Sequence, residues 1–373
     1  MQSVKQPAPA ENPGTFFNNE KTQTNTNFFC GAKSVLFMQN QPVYHTRPRL
    51  LGFGAALLDE MILVEDAFVA ALPGKKGGAR QVSAVEMSAL LAALPGKPLR
   101  QLGGATGNTL RAYAGLGGAA GMLTLVGDDE AGVYYLQAMR DAGVLCNGIK
   151  VISGAETGRC LSLVTPDSER TMRTRQGIAD QMRPADFTAA DFQGFTHLFV
   201  EGYALYTPDV VKAVLAVGKA AGLTIAWDAG SPELVATHRD LLQKLLSEYV
   251  TVAFFNEEES AAFCGSRDLQ AGLQALSRCC SLSVVKAGKN GAFLSENGAG
   301  PVHIPAYPAE AIDTTGAGDF WAAGFLYAWL QGETLQKAGE LAARMAAVIV
   351  EQVGTELTPD SWKNFHLQTQ SIH

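Results

Sequence analysis

A glycine-rich turn, Asp313-Thr314-Thr315-Gly316-Ala317-Gly318-Asp319, runs directly into an apolar helical pattern over residues 320–330. In such a turn the backbone N–H groups point outward, and the positive end of the helix dipole favours negative charge beside them. The turn therefore predicts an anion site whose natural guest is phosphate. A phosphate repels a neighbouring carboxylate, so we expect Asp319 to act as a base that accepts the proton of an attacking hydroxyl. The alternative interpretation is structural, with Asp319 as a helix cap and the glycines as turn residues.

The chain around this turn alternates short apolar runs with helical patterns. Buried strands are predicted over residues 223–228, 251–255 and 283–287, and helices over 208–222, 238–249 and 269–279. Repeated strand–helix units are typical of a mostly parallel sheet with helices on both faces. The expected fold class is therefore α/β, with the central sheet between two layers of helices.

A second texture lies between these units and the N-terminal region. Residues 158–165 and 170–175 flank a Pro-Asp-Ser-Glu turn, which predicts a β-hairpin. The hairpin is more polar than the other strands, as suits a lid over a site. Strand alternation places Arg170 on the face opposite to Arg173 and Arg175. An arginine that reaches into a closed site could neutralise phosphate charge, although arginine on an exposed hairpin is usually solvated.

Composition excludes several classes of protein. Of the 373 residues, 47% are apolar and 17% are charged, which is typical of a globular chain with a large core. The formal net charge is −7 and no basic block stands out, so nucleic acid is not an expected partner. The longest apolar run, residues 320–330, is shorter than the roughly 18 to 20 residues of a membrane span, so no membrane partner is expected. The six cysteines show no disulfide or zinc-site spacing, which favours a reducing compartment and a cytoplasmic location.

Two nucleotide-binding motifs are missing from the sequence. No Gly-x-x-x-x-Gly-Lys-Ser/Thr segment occurs, which excludes a P-loop kinase. The Gly115-Leu116-Gly117 segment has Ala120 where the dinucleotide-binding fingerprint needs its third glycine, so a Rossmann dehydrogenase is poorly supported.

Composition also divides the chain. Residues 1–46 are polar and rich in Asn and Thr without an apolar period, and we predict that they are disordered. Residues 47–365 are predicted to form a single domain, with 366–373 as a tail. Within the domain, we expect a lid from about residues 59–82 and 158–176.

Several segments, taken in order, resemble the landmarks of the ribokinase-like (PfkB) family of sugar and nucleoside kinases. They are Gly103-Gly104-Ala105-Thr106-Gly107-Asn108, Gly127-Asp128-Asp129-Glu130-Ala131-Gly132, Asn256-Glu257-Glu258-Glu259, Lys286-Ala287-Gly288 and the turn at 313–319. The resemblance runs from about residue 51 to 359 and is strongest to adenosine-kinase-like members. It implies a three-layer α/β/α domain with a small β lid that transfers the γ-phosphoryl group of ATP to a primary hydroxyl of a nucleoside or sugar.

The resemblance also implies roles for individual residues. The Gly316-Ala317-Gly318 turn would form the anion hole, with Asp319 as the catalytic base. Asn256 and Glu259 would organise Mg²⁺ and its waters near the phosphates, which suits a hard cation. The same pair is typical of a helix start, with Asn as the N-cap and Glu completing a capping box, and both roles can hold at once.

Further positions are implied for the two substrates. They are Asp59, Gly103, Gly104, Asn108 and Arg170 for the acceptor, and Asn256, Glu259, Lys286, Gly288, Ala346 and Val350 for the nucleotide. A short carboxylate such as Asp59 can accept two hydroxyl donors of a sugar, whereas a surface strand end is its structural alternative. Small residues on the helix that contains Ala346 would let an adenine ring approach, but helix packing explains them equally well.

Two positions depart from the family pattern. Ala55-Ala56 precedes the Leu57-Leu58-Asp59 segment where Asn-Pro or an equivalent is usual, and Lys286 replaces a frequent Thr. The first departure leaves purine recognition open, and the second leaves the detail of nucleotide binding open. A nucleoside is the preferred acceptor, a free sugar such as fructose or ribose is the rival, and a non-catalytic sensor is the alternative from another class. Pairing of lid strands would also allow a homodimer.

Overall fold

The computed structural model describes residues 47–167 and 169–369. The predicted disorder of residues 1–46 and the last residues of the expected tail, 370–373, lie outside the described residues. The strands are β1 Arg49–Phe53, β2 Leu57–Leu63, β3 Ala79–Gln81, β4 Leu99–Gly103, β5 Ala119–Gly127, β6 Ile149–Ile152, β7 Gly158–Val164, β8 Arg170–Arg175, β9 His197–Glu201, β10 Thr224–Asp228, β11 Val252–Asn256, β12 Leu282–Lys286, β13 Ala292–Glu296 and β14 Val302–Ile304. The helices are α1 Asp66–Ala70, α2 Ala84–Ala93, α3 Ala105–Gly115, α4 Glu130–Asp141, α5 Pro208–Ala220, α6 Pro232–Thr237, α7 Arg239–Tyr249, α8 Glu257–Cys264, α9 Leu269–Ser277, α10 Ala317–Trp329, α11 Leu335–Val350 and α12 Pro359–Thr369.

The main sheet has the strand order β14-β13-β12-β11-β10-β9-β1-β5-β6. Its neighbours from β12 to β6 pair in parallel, and β13 alone among these strands runs antiparallel to both of its neighbours. The predicted strands at 223–228, 251–255 and 283–287 are β10, β11 and β12. The expected mostly parallel α/β sheet is therefore confirmed.

Two apolar clusters cover the two faces of this sheet, because successive strand residues point to opposite sides. Phe254 packs in the cluster that includes Phe325 of α10, whereas Phe255 packs in the cluster that includes Leu242 of α7. Both faces are therefore buried under helices, as the continuous apolar runs of the parallel strands require.

The lid is a separate sheet with the strand order β3-β8-β7-β2-β4. Strands β7 and β8 form the predicted antiparallel hairpin. The first lid segment extends from β2 through β4, beyond the expected boundary at residue 82, and it includes two helices. Met87 and Leu90 of α2 pack with Leu161 and Leu163 of β7, so these helices cover the outer face of the lid sheet.

The chain end also differs from the expected boundary. Helix α12 continues to Thr369, so residues 366–369 are helical rather than the start of a tail. Residues 47–369 lie within one compact unit. No helix within the described ranges combines the length and apolar character needed to cross a bilayer.

Helices α10 and α11 approach closely at Gly324. A Cβ at this position would lie 2.9 Å from Cα of Ala342 and 3.1 Å from the carbonyl oxygen of Leu341, and backbone atoms cannot move aside as a flexible side chain can. We expect Gly324→Val to lower the free energy of unfolding by about 2–3 kcal/mol through overpacking. Urea unfolding measures the loss. The control is Gly300→Ala, where a Cβ meets open space, and an equal loss in both variants would contradict the packing argument.

Candidate active site

The predicted anion turn has the backbone geometry that anion binding requires. Gly316 adopts φ +77° at the N-cap of α10, in the left-handed region that favours glycine. Among the described residues, the amides of Gly316 and Gly318 have no hydrogen-bond partner, as is typical of the first turn of a helix. These donors therefore remain available to an anion in front of α10.

Asp319 lies in the first turn of α10, and its carboxyl group faces a cavity while protein encloses the rest of the group. Nδ2 of Asn108 donates a hydrogen bond to its Oδ2 at 2.9 Å. The loss of hydration raises the pKa of Asp319 from 3.8 to about 7, although the Asn108 hydrogen bond opposes the rise. A carboxyl group with such a pKa can exchange a proton near neutral pH, as a general base must.

Charged side chains end three of the four consecutive strands from β9 to β12 in the main sheet. They are Glu201 on β9, Asp228 on β10 and Lys286 on β12. Because parallel strands end at one edge, these groups gather where ligands of open α/β sheets bind. The edge therefore combines two buried carboxyl groups with one cation.

Lys286 lies between Asp228 and the anion turn. Its Nζ is 2.7 Å from Oδ2 of Asp228, and a Cβ at Gly318 would lie 3.0 Å from the same Nζ. Burial opposes the charge of Lys286, but Asp228 and Glu259 attract it and raise its pKa. Position 286, where the family pattern often has Thr, thus places an ammonium group beside the anion turn.

Asn256 and Glu259 form the capping box that begins α8. Oδ1 of Asn256 accepts from the Glu259 amide at 2.8 Å, and the Asn256 amide donates to Oε2 of Glu259 at 2.7 Å. Burial, followed by repulsion from Asp228, raises the pKa of Glu259 to about 7. The structural alternative considered from the sequence is therefore realised, and Oε1 of Glu259 takes no part in it.

The carboxyl groups near this edge of the sheet provide oxygen atoms of the kind that bind Mg²⁺. Within residues 47–167 and 169–369, no group of three or more His, Cys, Asp or Glu side chains is arranged to hold a metal ion directly. Glu259 and Asp228 repel each other, and their oxygen atoms are the hard ligands that Mg²⁺ prefers. The donor set therefore fits a hydrated Mg²⁺ ion whose remaining ligands are waters and phosphate oxygens.

A cavity of about 320 Å³ lies between the inner face of the lid sheet and the edge of the main sheet. Asp59 and Met172 line it from the lid, Glu201 and Asp228 line it from the main sheet, and Asp319 lines it from α10. The cavity thus brings the predicted acceptor carboxylate and the predicted base to one space, which is large enough for a small molecule.

Two glycines hold the acceptor side of this cavity in place. A Cβ at Gly103 would lie 2.2 Å from Oδ1 of Asp59, and one at Gly104, which has φ +84°, would lie 2.6 Å from the carbonyl oxygen of Ala55. Any side chain at 103 would therefore displace the Asp59 carboxyl group. Burial raises the pKa of Asp59 to about 7, and the charges of Arg111 and Arg170 oppose the rise.

Arg170 connects the lid with the anion turn. Its Nη2 lies 2.5 Å from Oδ2 of Asp313, and its Nη1 donates to the hydroxyl group of Thr315. Asp313 also accepts hydrogen bonds from the amides of Thr315 and Gly354, both at 2.9 Å. The predicted separation of Arg170 from Arg173 is confirmed, since Arg173 is buried on the opposite side.

Of the remaining nucleotide positions, Ala346 and Val350 lie on the face of the main sheet that α10 covers, and Gly288 lies just beyond the end of β12. Gly288 follows β12 with φ +54°, and a Cβ there would meet open space. Ala346 and Val350 of α11 are half-buried against the apolar core. The carbonyl oxygen of Val350 accepts from the amides of Ile312 at 2.7 Å and Asp313 at 3.1 Å, so the end of α11 supports the anion turn.

Sequence reasoning missed Glu201, Asp228 and Arg111. Glu201 is buried, and its carboxyl group accepts from the amides of Ala55 at 2.9 Å and Thr106 at 2.7 Å. A charged residue at the end of an otherwise apolar strand, as in both Leu-Phe-Val-Glu201 and Ile-Ala-Trp-Asp228, is the signal that could have found the two carboxylates. Arg111 has no comparable signal in the sequence.

The matching family, two relatives and one solved structure are all described as kinases of sugars or nucleosides. Residues 90–362 match the family described as pfkB family carbohydrate kinase. An ATP-dependent ribose-1-phosphate kinase of Halopiger xanaduensis is 28% identical over 257 residues, which cover 69% of this chain and 83% of that protein. A nucleoside kinase of Methanothermobacter thermautotrophicus is 26% identical over 268 residues, covering 71% of this chain and 84% of that protein. The crystal structure of adenosine kinase from Sinorhizobium meliloti superposes with a TM-score of 0.78 at 27% identity, covering 87% of this chain and 100% of that chain.

The raised pKa of Asp319 predicts a pH-dependent effect on stability. Because the pKa rises from 3.8 in the unfolded chain to about 7 in the folded protein, folding is favoured at low pH and this contribution is lost as pH rises to 7. The amide of Asp319→Asn carries no charge, so the variant should gain melting temperature relative to wild type from pH 5 to 7 and then level off. Calorimetry at pH 5, 6, 7 and 8 measures the difference. Asp209→Asn, at an exposed position, is the control, and the same slope in both variants would contradict the argument.

Proposed function

We propose, since the chain belongs to the pfkB family of carbohydrate kinases, that it transfers the γ-phosphoryl group of ATP to a primary hydroxyl group of a nucleoside or sugar. Family membership confirms the expected ribokinase-like fold and the expected kinase class, and kinases of this family use ATP as the donor. The observation that carries the proposal is the position of Asp319, which lines the cavity and directly follows Gly318 of the anion turn, whose amide has no hydrogen-bond partner among the described residues.

In the proposed reaction, Asp319 orients the acceptor hydroxyl and receives its proton. The acceptor oxygen forms a bond to the γ-phosphorus as the bond from that phosphorus to the bridging oxygen breaks, and ADP leaves with the electron pair of that bond. Negative charge on the transferring group lies in front of α10, where the Gly316 and Gly318 amides and the helix dipole stabilise it. The chain thus contributes mainly position and electrostatic stabilisation.

Lys286 and Glu259 serve the phosphate side of the site. When a phosphate occupies the anion turn, the ammonium group of Lys286 lies close enough to share its charge between Asp228 and the phosphate. Glu259 and Asn256 would hold the waters of Mg²⁺, which supplies further neutralisation of the phosphate charge when bound. The nucleotide itself would extend past Gly288 toward Ala346 and Val350.

The lid would exclude water from the reaction. Its inner face closes over the cavity, and Arg170 ties β8 to Asp313 and Thr315 of the anion turn. Water at the position of the acceptor hydroxyl would hydrolyse ATP, so a closed lid protects the donor until an acceptor is bound. Arg170 is also placed where its charge can act on the transferring group.

The acceptor would bind between Asp59 and Asp319. Asp59 accepts paired hydroxyl groups, and Gly103 and Gly104 leave the room that the Asp59 carboxyl group and the Ala55 carbonyl oxygen occupy on this side of the cavity. Tyr203 and Tyr206 line the same cavity and stack with their ring centroids 6.4 Å apart, which offers a flat apolar surface of the kind that a nucleobase uses. This surface favours a nucleoside over a free sugar.

Two further proposals concern the whole protein. Because α1 and α2 cover the outer face of the lid sheet, a homodimer through lid strands would have to use the edge strands β3 and β4. Light scattering of the purified protein measures the assembly directly.

A cytoplasmic location stays a prediction, supported by five free cysteines among the described residues.

The central test is release of ADP from ATP and Mg²⁺ in the presence of single acceptors. We expect one nucleoside to give the strongest response in a panel of nucleosides, pentoses, ketoses and ribose 1-phosphate. Asp319→Asn should lose more than about a hundredfold in kcat and keep its ATP affinity, because only the proton acceptor is removed. A sugar response would replace the nucleoside proposal. Silence of the wild type across the panel with intact ATP binding would favour the sensor.

Variants on the acceptor side and on the phosphate side of the cavity should change KM for different substrates. Asp59→Asn should raise KM for the acceptor about tenfold or more while KM for ATP stays within twofold, because a hydroxyl-binding carboxylate is lost. Lys286→Met should raise KM for ATP about tenfold or more while KM for the acceptor stays within twofold, because the charge of Lys286 faces the phosphate side. Initial rates with each substrate varied in turn measure both constants. The same shift in both variants would contradict the assignment of the two sides.

A further inference from the structure

Arg111 lies on α3, one helical turn after Asn108 and outside the cavity that holds the proposed acceptor. We propose that Arg111 is a positioning residue that fixes the side-chain amide of Asn108 so that its NH₂ group faces Asp319. The inference rests on the proposed function, because its consequence is measured in phosphoryl transfer.

The hydrogen bonds form a two-step chain. Nη2 of Arg111 donates to Oδ1 of Asn108 at 2.7 Å, and Nδ2 of Asn108 donates to Oδ2 of Asp319 at 2.9 Å. An asparagine amide has one accepting end and one donating end. With the accepting end held by a guanidinium group, which can only donate, the donating end must face the carboxyl group. A flipped amide would place its oxygen against the carboxylate and its NH₂ group against Arg111.

Arg111 is itself held by several elements. The same Nη2 lies 3.2 Å from the carbonyl oxygen of Leu102 on β4 and 3.2 Å from Oγ1 of Thr355, and Nη1 lies 3.7 Å from Oε1 of Glu356. Its side chain is only 10% exposed. A buried guanidinium group with such partners has little freedom, so its direction toward Asn108 is fixed by the fold.

The chain of hydrogen bonds acts on the proposed base. The hydrogen bond from Asn108 favours the ionised form of Asp319, which burial disfavours, while Asp228 and Glu201 also disfavour that form and Lys286 favours it. Loss of the orienting contact would leave the Asn108 amide free to rotate. The carboxyl group would then be a less available acceptor of the hydroxyl proton, and its direction toward the cavity would be less well defined.

A purely structural role is the competing explanation. Arg111 also joins β4 to residues 355 and 356, and Thr355 lies against the anion turn, since a Cβ at Gly316 would be 2.8 Å from its Cγ2. A brace of this kind would lower stability when removed and would affect both substrates. A positioning role predicts a loss in kcat that depends on the presence of Asn108.

The test is a double-mutant cycle with the best acceptor of the panel. Arg111→Met should lower kcat about tenfold or more and leave KM for ATP within twofold, because the orienting contact acts on the base and on no residue of the proposed nucleotide side. In the Asn108→Ala background, Arg111→Met should lower kcat by less than about a further twofold, since the effects of two residues in the same hydrogen-bond chain are not additive. Arg111→Lys, which keeps the charge and a donor, should recover most of kcat.

Matched controls separate the explanations. Thr355→Val removes two brace contacts, the hydrogen bonds of its Oγ1 with Nη2 of Arg111 and with the carbonyl oxygen of Leu102, and it keeps the contact between Arg111 and Asn108. It should lower the melting temperature with kcat within about twofold of wild type. Equal losses from Arg111→Met with and without Asn108, or unchanged kcat with a lower melting temperature, would overturn the inference. If Arg111→Met folds poorly, Arg111→Lys decides, and a kcat as low as that of Asn108→Ala overturns the inference. A wild type without activity overturns the proposed function first, which distinguishes the two failures.

Discussion

Buried charge at the edge of the main sheet is the constraint on which the site depends. Asp228 and Glu259 are both buried, Asp319 is enclosed beside them, and Lys286 is the cation placed among them. Water would solvate each of these groups better than protein does, so each one needs a specific partner in the folded chain. The capping box serves Glu259, the Asn108 amide serves Asp319, and Lys286 serves Asp228. The arrangement is costly for stability, and it fits the proposed role of this edge in binding a nucleotide and Mg²⁺.

Close backbone approach is the second requirement, and glycine meets it at a few positions. Gly103 lets the Asp59 carboxyl group lie against the backbone, and Gly316 lets the chain enter α10 with its amides exposed. A Cβ at Gly103 would meet the Asp59 carboxyl group, and a Cβ at Gly316 would meet the side chain of Thr355, which lies against the anion turn. The geometry of the site therefore explains why glycine occupies these positions. The same requirement makes the glycine motifs recognisable in the sequence.

The extent to which sequence predicted the structure follows from how local each feature is. The anion turn, strands β10 to β12 and the β7–β8 hairpin depend on neighbouring residues, and their patterns are readable. The extension of the lid through α2 was missed because that helix is stabilised by contacts with β7, which lies far away in the chain. Arg111 was missed for a similar reason, because besides the nearby Asn108 it contacts Thr355, which is distant in sequence. Glu201 has the strand-end signal, but the Thr106 amide that it binds lies on a distant helix. A side chain that acts through tertiary contacts leaves no spacing to recognise.

Arg170 shows how these requirements combine. Its guanidinium group comes from the lid, yet its partners Asp313 and Thr315 belong to the anion turn, the proposed phosphate site. Asp313 is also bound by the Gly354 amide, which follows the helix placed beside the proposed nucleotide site. One carboxyl group therefore connects the lid, the anion turn and the end of α11. Because a carboxylate has a limited number of acceptor positions, a change in any one of these elements alters the contacts left for the other two. In the proposed reaction, closure of the lid over an acceptor and alignment of the anion turn would therefore be coupled, and water would be excluded in the state in which the donors of the turn are aligned.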